Sequence, residues 1–114
     1  MGITGTHLIL YTSEPDEVRA ILRDVFGWAH VDAGGGWLIF ALPPAELGVH
    51  PAEVPHHQVS LTCDDLTATM AELTDRGVVF RDGPLEMSFG VGVTMVLPGE
   101  LEILLYEPSH PTPG

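Results

Sequence analysis

The residues best suited to chemistry are concentrated in one stretch near the middle of the chain, residues 55–66. Two adjacent histidines, His56 and His57, precede a segment in which apolar and polar residues alternate. This period of two predicts a short strand with one apolar and one polar face, and the polar face ends at the histidines. Because imidazole binds metals and forms hydrogen bonds, we expect this strand to border any functional site.

The same strand carries three hydroxyl or thiol side chains, but none is expected to act as a nucleophile. Ser60 and Thr62 have no obvious activating base, and Cys63 falls on the apolar face. The chain also has no lysine, which excludes Schiff-base chemistry and a Walker-type phosphate loop. As the single cysteine, Cys63 excludes an intramolecular disulfide and a thiolate metal cluster, and we expect a small buried hydrophobic residue there.

The bulk composition excludes several classes of protein. With 114 residues the chain can build one hydrophobic core and therefore one domain. Sixteen acidic residues against four arginines give a net charge of -12, so neither nucleic acid nor an anionic membrane surface is an expected partner. The chain contains no leader-like N-terminus and no apolar stretch of about 18 residues, and a cytoplasmic protein is expected.

Two halves of the chain predict the same order of elements. In the first half we expect a strand at 6–12, a helix that Ser13 caps and Gly27 closes, and strands at 31–33, 37–42 and 46–50. In the second half we expect a strand at 57–63, a helix at 65–76, strands at 78–81, 92–97 and 102–106, and a loop at 82–90. Each half therefore reads as βαβββ.

This repeat predicts an α+β fold in a single domain. The first βαβββ module covers residues 5–50, a linker covers 51–55, the second module covers 56–108, and a loose tail covers 109–114. One module is too small to bury its sheet alone, so the two sets of strands are expected to lie side by side. The result would be a half-open barrel of eight strands with the helices outside.

In this order of elements the chain resembles the vicinal oxygen chelate superfamily, which includes glyoxalase I, extradiol dioxygenases and bleomycin-resistance proteins. The resemblance spans residues 5–108 and is carried by HLILY at 7–11, by LTCDDL at 61–66 with ELTDRGV at 72–78, and by LYEP at 105–108. It implies a homodimer whose pockets are often completed across the interface. Because the fold hosts several chemistries, the function depends on the site residues.

Metal-binding members of this superfamily take one His or Glu from each of four strands, and this sequence matches that pattern only in part. His7 occupies the first position, whereas Gln58 stands where a His or Glu is expected. In the last strand the position falls on Leu104, with Glu102 two residues earlier; in the first module it falls on Gly48, between Glu46 and His50. One interpretation is that His7, Gln58 and Glu102 help to hold Zn, Ni, Fe or Mn in a metal-dependent lyase, isomerase or dioxygenase.

The preferred interpretation is a metal-free binding protein of the glyoxalase/bleomycin-resistance type, because three of the four metal positions depart from the pattern. Its cup would hold an aromatic or cationic organic molecule between flat side chains and hydrogen-bonding groups. The expected ligand-binding residues are His7, Tyr11, Trp37, His50, Phe89, Glu102 and Tyr106. A third possibility, an interaction module, would require a cup closed by bulky side chains.

Overall fold

The computed structural model describes residues 2, 6–109 and 111 of the chain. Its elements in chain order are helix α1 (Pro15–Ala20), continued by a π-helical turn (Ile21–Val25), strands β1 (His30–Asp32), β2 (Leu38–Phe40) and β3 (Ser60–Thr62), helix α2 (Leu66–Asp75), and strands β4 (Val79–Met87), β5 (Gly90–Leu97) and β6 (Leu101–Pro108). The α+β class predicted from the sequence is confirmed. None of the helices in the described part of the chain is both long and apolar enough to cross a membrane.

The strands form two separate sheets. The larger sheet has the order β3–β6–β5–β4, in which β3 runs parallel to β6 and the other neighbours are antiparallel. The smaller sheet is the antiparallel hairpin of β1 and β2. Within the second half, the order of elements predicted from the sequence is therefore confirmed.

The hydrophobic core lies between the helices and one face of the four-stranded sheet. Strand β5 contributes Val93, Met95 and Leu97, and Met95 is 0% exposed. The other buried residues are Val18, Leu22, Leu66, Val78, Ile103 and Leu105. Because successive side chains of a strand point to opposite faces, the alternate residues of β5 and β6 are left on the uncovered face.

The first helix begins and ends close to the predicted positions, but its cap differs from the prediction. Glu14, not Ser13, is the N-cap residue, and no side chain caps the helix. Pro15 starts the helix, as expected from its fixed φ. At the other end Gly27 has φ +70°, the left-handed conformation that lets a glycine close a helix.

Helix α2 is fixed at both ends by side chains. At its start the Asp65 carboxylate accepts a hydrogen bond from Ala68 N at 3.0 Å, which confirms the predicted cap. Glu107, at the end of β6, accepts a second one from Leu66 N at 3.0 Å. At the other end the Arg76 guanidinium donates to the carbonyl oxygens of Val25 (2.9 Å) and Asp24 (2.7 Å), so it joins α2 to the end of the first helix.

The prediction of a loop at 82–90 was wrong, because β4 continues to Met87. The pairing of β4 with β5 shifts between Arg81 and Leu85, and Asp82 adopts φ +58° inside this irregularity. A bulge of this kind lets a strand carry turn-type residues such as Asp82, Gly83 and Pro84 and still resume its ladder. The sequence showed the turn residues, whereas the structure shows that the strand passes through them.

Two predicted strands, at 6–12 and 46–50, are not paired into a sheet by the described residues. In the second of these, Leu47 and Val49 are 94% and 96% exposed. Alternation along a segment specifies which residues would share a face, but a strand also needs a neighbour for its peptide groups. Six strands in two sheets are present in the described part. Of the tail predicted at 109–114, only residues 109 and 111 lie within it.

The cap of α2 generates a testable prediction. Replacing Asp65 by Ala removes the acceptor for Ala68 N and should lower the free energy of unfolding by about 1 kcal/mol. Urea unfolding followed by circular dichroism measures this loss. The control is Asp64→Ala, which changes the exposed neighbouring carboxylate and should shift the free energy by less than about 0.5 kcal/mol. Equal effects of the two substitutions would contradict the assignment of the cap.

Candidate functional site

The candidate site is the face of the four-stranded sheet that the helices leave uncovered. Cross-strand register sets which residues share it, because directly paired residues lie on the same face. One row runs across all four strands through Ser60, Leu104, Thr94 and Arg81. The next row runs through Thr62, Tyr106, Gly92 and Leu85.

A hollow of about 410 Å³ opens on this face. Its floor is formed by Thr94 and by the first half of β6, and its walls come from two extended segments, 9–11 and 57–59. The lining residues are Ile9, Leu10, Tyr11, His57, Gln58, Val59, Thr94, Leu101, Glu102, Ile103 and Leu104. The volume lies within the range of small-molecule sites, and the lining combines apolar walls with a few polar groups.

One end of the hollow is charged. The Arg81 guanidinium forms an ion pair with the Glu102 carboxylate and a second one with Glu100 at 3.3 Å. All three side chains remain partly exposed, so these pairs stabilise the fold only weakly. They place the Arg81 guanidinium beside the Glu102 carboxylate at this end of the hollow.

The other end of the same face is apolar and aromatic. The rings of Phe89 and Tyr106 meet edge to face, with centroids 5.1 Å apart and planes at 88°. Gly92 is paired with Tyr106 across the sheet, and a Cβ there would collide with the Met87 methyl group and approach Leu104 and Tyr106 to 3.1 Å. The missing side chain at this glycine therefore lets the three large side chains converge on one spot.

The structure brings together some of the residues predicted from the sequence and separates others. Tyr11, Gln58 and Glu102 line the hollow, and Phe89 and Tyr106 form its aromatic extension. The other predicted residues, His7, Trp37 and His50, are not among the described residues that line it.

Trp37 and His50 both lie outside the hollow. Trp37 is 61% exposed at the start of β2. His50 is exposed in an extended segment, where its Nδ1 lies 3.0 Å from the carbonyl oxygen of the adjacent Pro51. The sequence pattern placed both residues in strands of the barrel, but among the described residues the segment 46–50 is not paired into a sheet.

Thr94 and His57 line the hollow and Arg81 is paired with Glu102 at its edge, but none of the three was among the predicted site residues. Alternation within β5 carried a signal for Thr94, since its neighbours Val93 and Met95 are buried. Arg81 could be assigned to this face only from the structure, in which it pairs with Thr94 next to the bulge. His57, the second of the two adjacent histidines before β3, lies at the wall of the hollow.

The proposed metal ligands do not form a metal site in the described residues. Gln58 and Glu102 both line the hollow, whereas His7 does not, and Glu102 is paired with Arg81. In the described part of the chain no three His, Cys, Asp or Glu side chains lie close enough to hold an ion. Since a divalent metal needs several such donors at one point, these residues do not fit one.

Cys63 lies beneath the site and faces the core, as predicted. It is half-buried, and its Sγ donates a hydrogen bond to the carbonyl oxygen of Tyr106 at 3.7 Å. Burial raises the pKa of the Cys63 thiol. A hydrogen bond with Thr69 lowers it in part, and the nearby carboxylates of Glu107, Asp64 and Asp65 raise it. The thiolate form is therefore disfavoured, and Cys63 is a poor nucleophile.

A second hollow of about 400 Å³ lies between α1 and the ends of β4 and β5. It is lined mainly by Gly, Val and Pro residues, with Glu17 and Glu100 as its charged groups. It contains no aromatic side chain and none of the residues predicted for the site. We therefore regard the hollow on the uncovered face as the functional candidate.

Comparison with known proteins gives matches in structure but not in sequence. The solved structures that share the fold include these three. The antibiotic-binding protein TnmS3 from Streptomyces sp. CB03234 has a TM-score of 0.68 and 25% identity, over 96% of this chain and 99% of its own. A glyoxalase/bleomycin resistance protein from the same organism has a TM-score of 0.57 and 23% identity, over 85% of this chain and 94% of its own. No family model and no curated protein matches the chain.

The third structure, an integron cassette protein from the mobile metagenome of V. cholerae, has a TM-score of 0.54 and 16% identity. It covers 94% of this chain and 98% of its own length. The three likenesses extend over nearly the whole of each protein. They confirm, at the level of the fold, the resemblance to the vicinal oxygen chelate superfamily.

The environment of Cys63 generates a second prediction. Because the thiolate is the reactive form, its raised pKa and partial burial should slow labelling by a disulfide reagent at pH 7.5 by at least about tenfold relative to the urea-unfolded chain. The rate should increase as the pH rises toward the raised pKa. Absorbance of the released thiol measures it, and equal rates in the folded and unfolded chain would contradict the placement of Cys63.

Proposed function

We propose that this protein binds a small organic molecule, aromatic or cationic, in the hollow on the uncovered face of the sheet. The observation that carries the proposal is the joining of two kinds of surface along β6. Tyr106 and Phe89 offer an aromatic edge. Glu102, on the same strand as Tyr106, offers a carboxylate. Flat apolar walls with a few oriented polar groups are typical of ligand sites.

Charge favours a cationic group on the ligand. The chain has a net charge of -12, so its field attracts cations toward the site. Glu102 is held at the hollow by Arg81, and an amine or guanidinium of a ligand can take the place of that internal cation. The antibiotic-binding protein with the same fold supports small-molecule binding as the general function.

The proposal extends to the organisation of the chain. We propose a single domain of two modules, residues 5–50 and 56–108, joined by the linker 51–55. In a homodimer the segments 6–12 and 46–50 would find the strand neighbours that the described residues of one chain do not give them, and the eight-stranded half-barrel would be completed. The cytoplasmic location expected from the sequence remains a prediction.

The role of Glu102 can be tested with three probes: bleomycin, a flat cationic aromatic dye, and an uncharged aromatic of the same size. We expect the cationic dye to bind more tightly than the uncharged aromatic. Because it binds the folded protein, the dye should raise the melting temperature by mass action. Glu102→Gln should weaken dye binding about tenfold, because it removes a charged hydrogen-bond acceptor. Isothermal titration calorimetry measures the affinities.

The matched control for Glu102→Gln is Glu72→Gln, which removes one negative charge from the exposed surface of α2. It should change dye affinity by less than about twofold, as expected for a distant screened charge. Tyr11→Ala should weaken both aromatic probes, because Tyr11 is 82% exposed and lines the hollow. Failure of all three probes to bind at millimolar concentration would contradict the proposal.

The metal-dependent alternative is tested by elemental analysis. Because the described residues do not bring three metal donors together, we expect less than about 0.1 transition metal per chain after incubation with Zn, Ni, Fe or Mn and gel filtration. Inductively coupled plasma mass spectrometry measures the content. About one metal per chain, lost in His7→Ala, would overturn the binding-protein proposal in favour of a metal enzyme.

A further inference from the structure

Arg81 is the one arginine of the chain that lies beside the candidate site. The chain has four arginines and no lysine. Arg19 and Arg23 form ion pairs within the first helix and the π-helical turn that continues it, and Arg76 joins the two helices. Arg81 lies instead on the uncovered face, where it pairs across the sheet with Thr94, a residue of the hollow. A positive charge of the protein itself therefore lies where the proposed function expects the cationic group of a ligand.

The guanidinium of Arg81 divides its hydrogen bonds between two carboxylates. One terminal nitrogen donates to Glu102, and the other donates to Glu100 at 3.3 Å. Because the two bonds use different nitrogens, the bond to Glu102 can break while the bond to Glu100 remains. The side chains of Arg81 and Glu102 are 45% and 47% exposed, so neither becomes a buried unpaired charge when they separate.

Glu100 has an unusual backbone conformation for a residue with a long side chain. It lies in the turn between β5 and β6 with φ +62°, directly after Gly99 with φ +79°. This left-handed region favours Gly, Asn or Asp, and other residues occur there at a cost in free energy. The turn nevertheless brings the Glu100 carboxylate within reach of Arg81. Its contact with Arg81 gives a carboxylate at this position a role that glycine could not fill.

The ion pair at the hollow changes which molecules gain by binding there. With Arg81 in place, a ligand cation gains only the difference between its own bond to Glu102 and the bond that it replaces. A small cation with no other contact therefore gains little, although the net charge of -12 attracts it. A ligand that also packs on Phe89 and Tyr106 gains apolar contact that the pair with Arg81 does not oppose.

We infer that Arg81 is a specificity-determining residue of the proposed site, because it competes with the cationic group of a ligand for Glu102. Glu100 keeps the displaced guanidinium paired. The expected ligand class is one in which a positive charge is joined to a flat aromatic group, and cations without an aromatic part are disfavoured. The inference rests on the proposed function and deepens it, since it names the residue that sets the selectivity of that site.

The first test is a double-mutant cycle on Arg81 and Glu102, measured by isothermal titration calorimetry with the cationic dye and the uncharged aromatic. Arg81→Gln should tighten dye binding about fivefold, which corresponds to about 1 kcal/mol for an exposed ion pair. It should change the affinity for the uncharged aromatic by less than about twofold. In the Glu102→Gln background, Arg81→Gln should leave dye affinity within about twofold, because no carboxylate remains for which to compete.

The matched control is Arg23→Gln. Its side chain is 44% exposed and is paired with the neighbouring Asp24, so the substitution removes a comparable ion-paired charge away from the hollow. It should change dye affinity by less than about twofold. Circular dichroism of each variant checks that it is folded before the titrations are compared.

The outcomes of the cycle separate the inference from the proposed function. Equal tightening with and without Glu102 would show that Arg81 acts only as a general positive charge, and no tightening would show that it does not compete. Either result would overturn the inference, and dye binding that still depends on Glu102 would leave the proposed function intact. Binding of neither probe by any form would overturn both.

A second test uses the wild-type protein and does not depend on a variant for its result. The guanidinium signals of the four arginines are followed by nitrogen-15 nuclear magnetic resonance, with Arg81 assigned from the signal lost in Arg81→Gln. Saturation with the dye should move the Arg81 signal by more than the uncharged aromatic does, and the Arg23 signal should stay in place. An Arg81 signal that responds equally to both probes would contradict its displacement by the ligand's charge.

Discussion

The packing of both helices against one face of the four-stranded sheet is the constraint on which the rest of the structure depends. Met95 lies at the centre of this contact and is 0% exposed. Arg76 joins α2 to the end of the first helix, and Glu107 joins the start of α2 to β6. Because side chains alternate across a strand, burial of one face also fixes which residues the opposite face presents.

The two ends of that opposite face differ in chemical character. Its aromatic end, at Phe89 and Tyr106, offers apolar contact area, while its charged end holds Glu102 against Arg81. In the proposed function, a ligand that matches both ends would gain apolar burial and a charge-assisted hydrogen bond, and would be preferred over one that matches a single end. Covalent chemistry has little support here, since the thiol of Cys63 faces the core with a raised pKa.

The sequence predicted the second half of the fold well, because each element carried its own local signal. The α2 cap at Asp65 and the alternation of β5 and β6 were both readable from neighbouring residues. The site was predictable where a residue sits on such an element, as with Glu102 and Tyr106. It was not predictable where position depends on register, as with Arg81, whose partner Thr94 is set by the pairing of β4 with β5.

The sequence by itself determined the α+β class, the Asp65 cap of α2, the acidic charge and the apolar face of each strand in the second half, because these follow from neighbouring residues and composition. Only the tertiary structure decided which segments become strands. Residues 46–50 alternate as well as 102–106 do, yet only the latter segment is in a sheet. The physical reason is that a strand is completed by hydrogen bonds to a neighbour, and a segment's own pattern does not supply that neighbour.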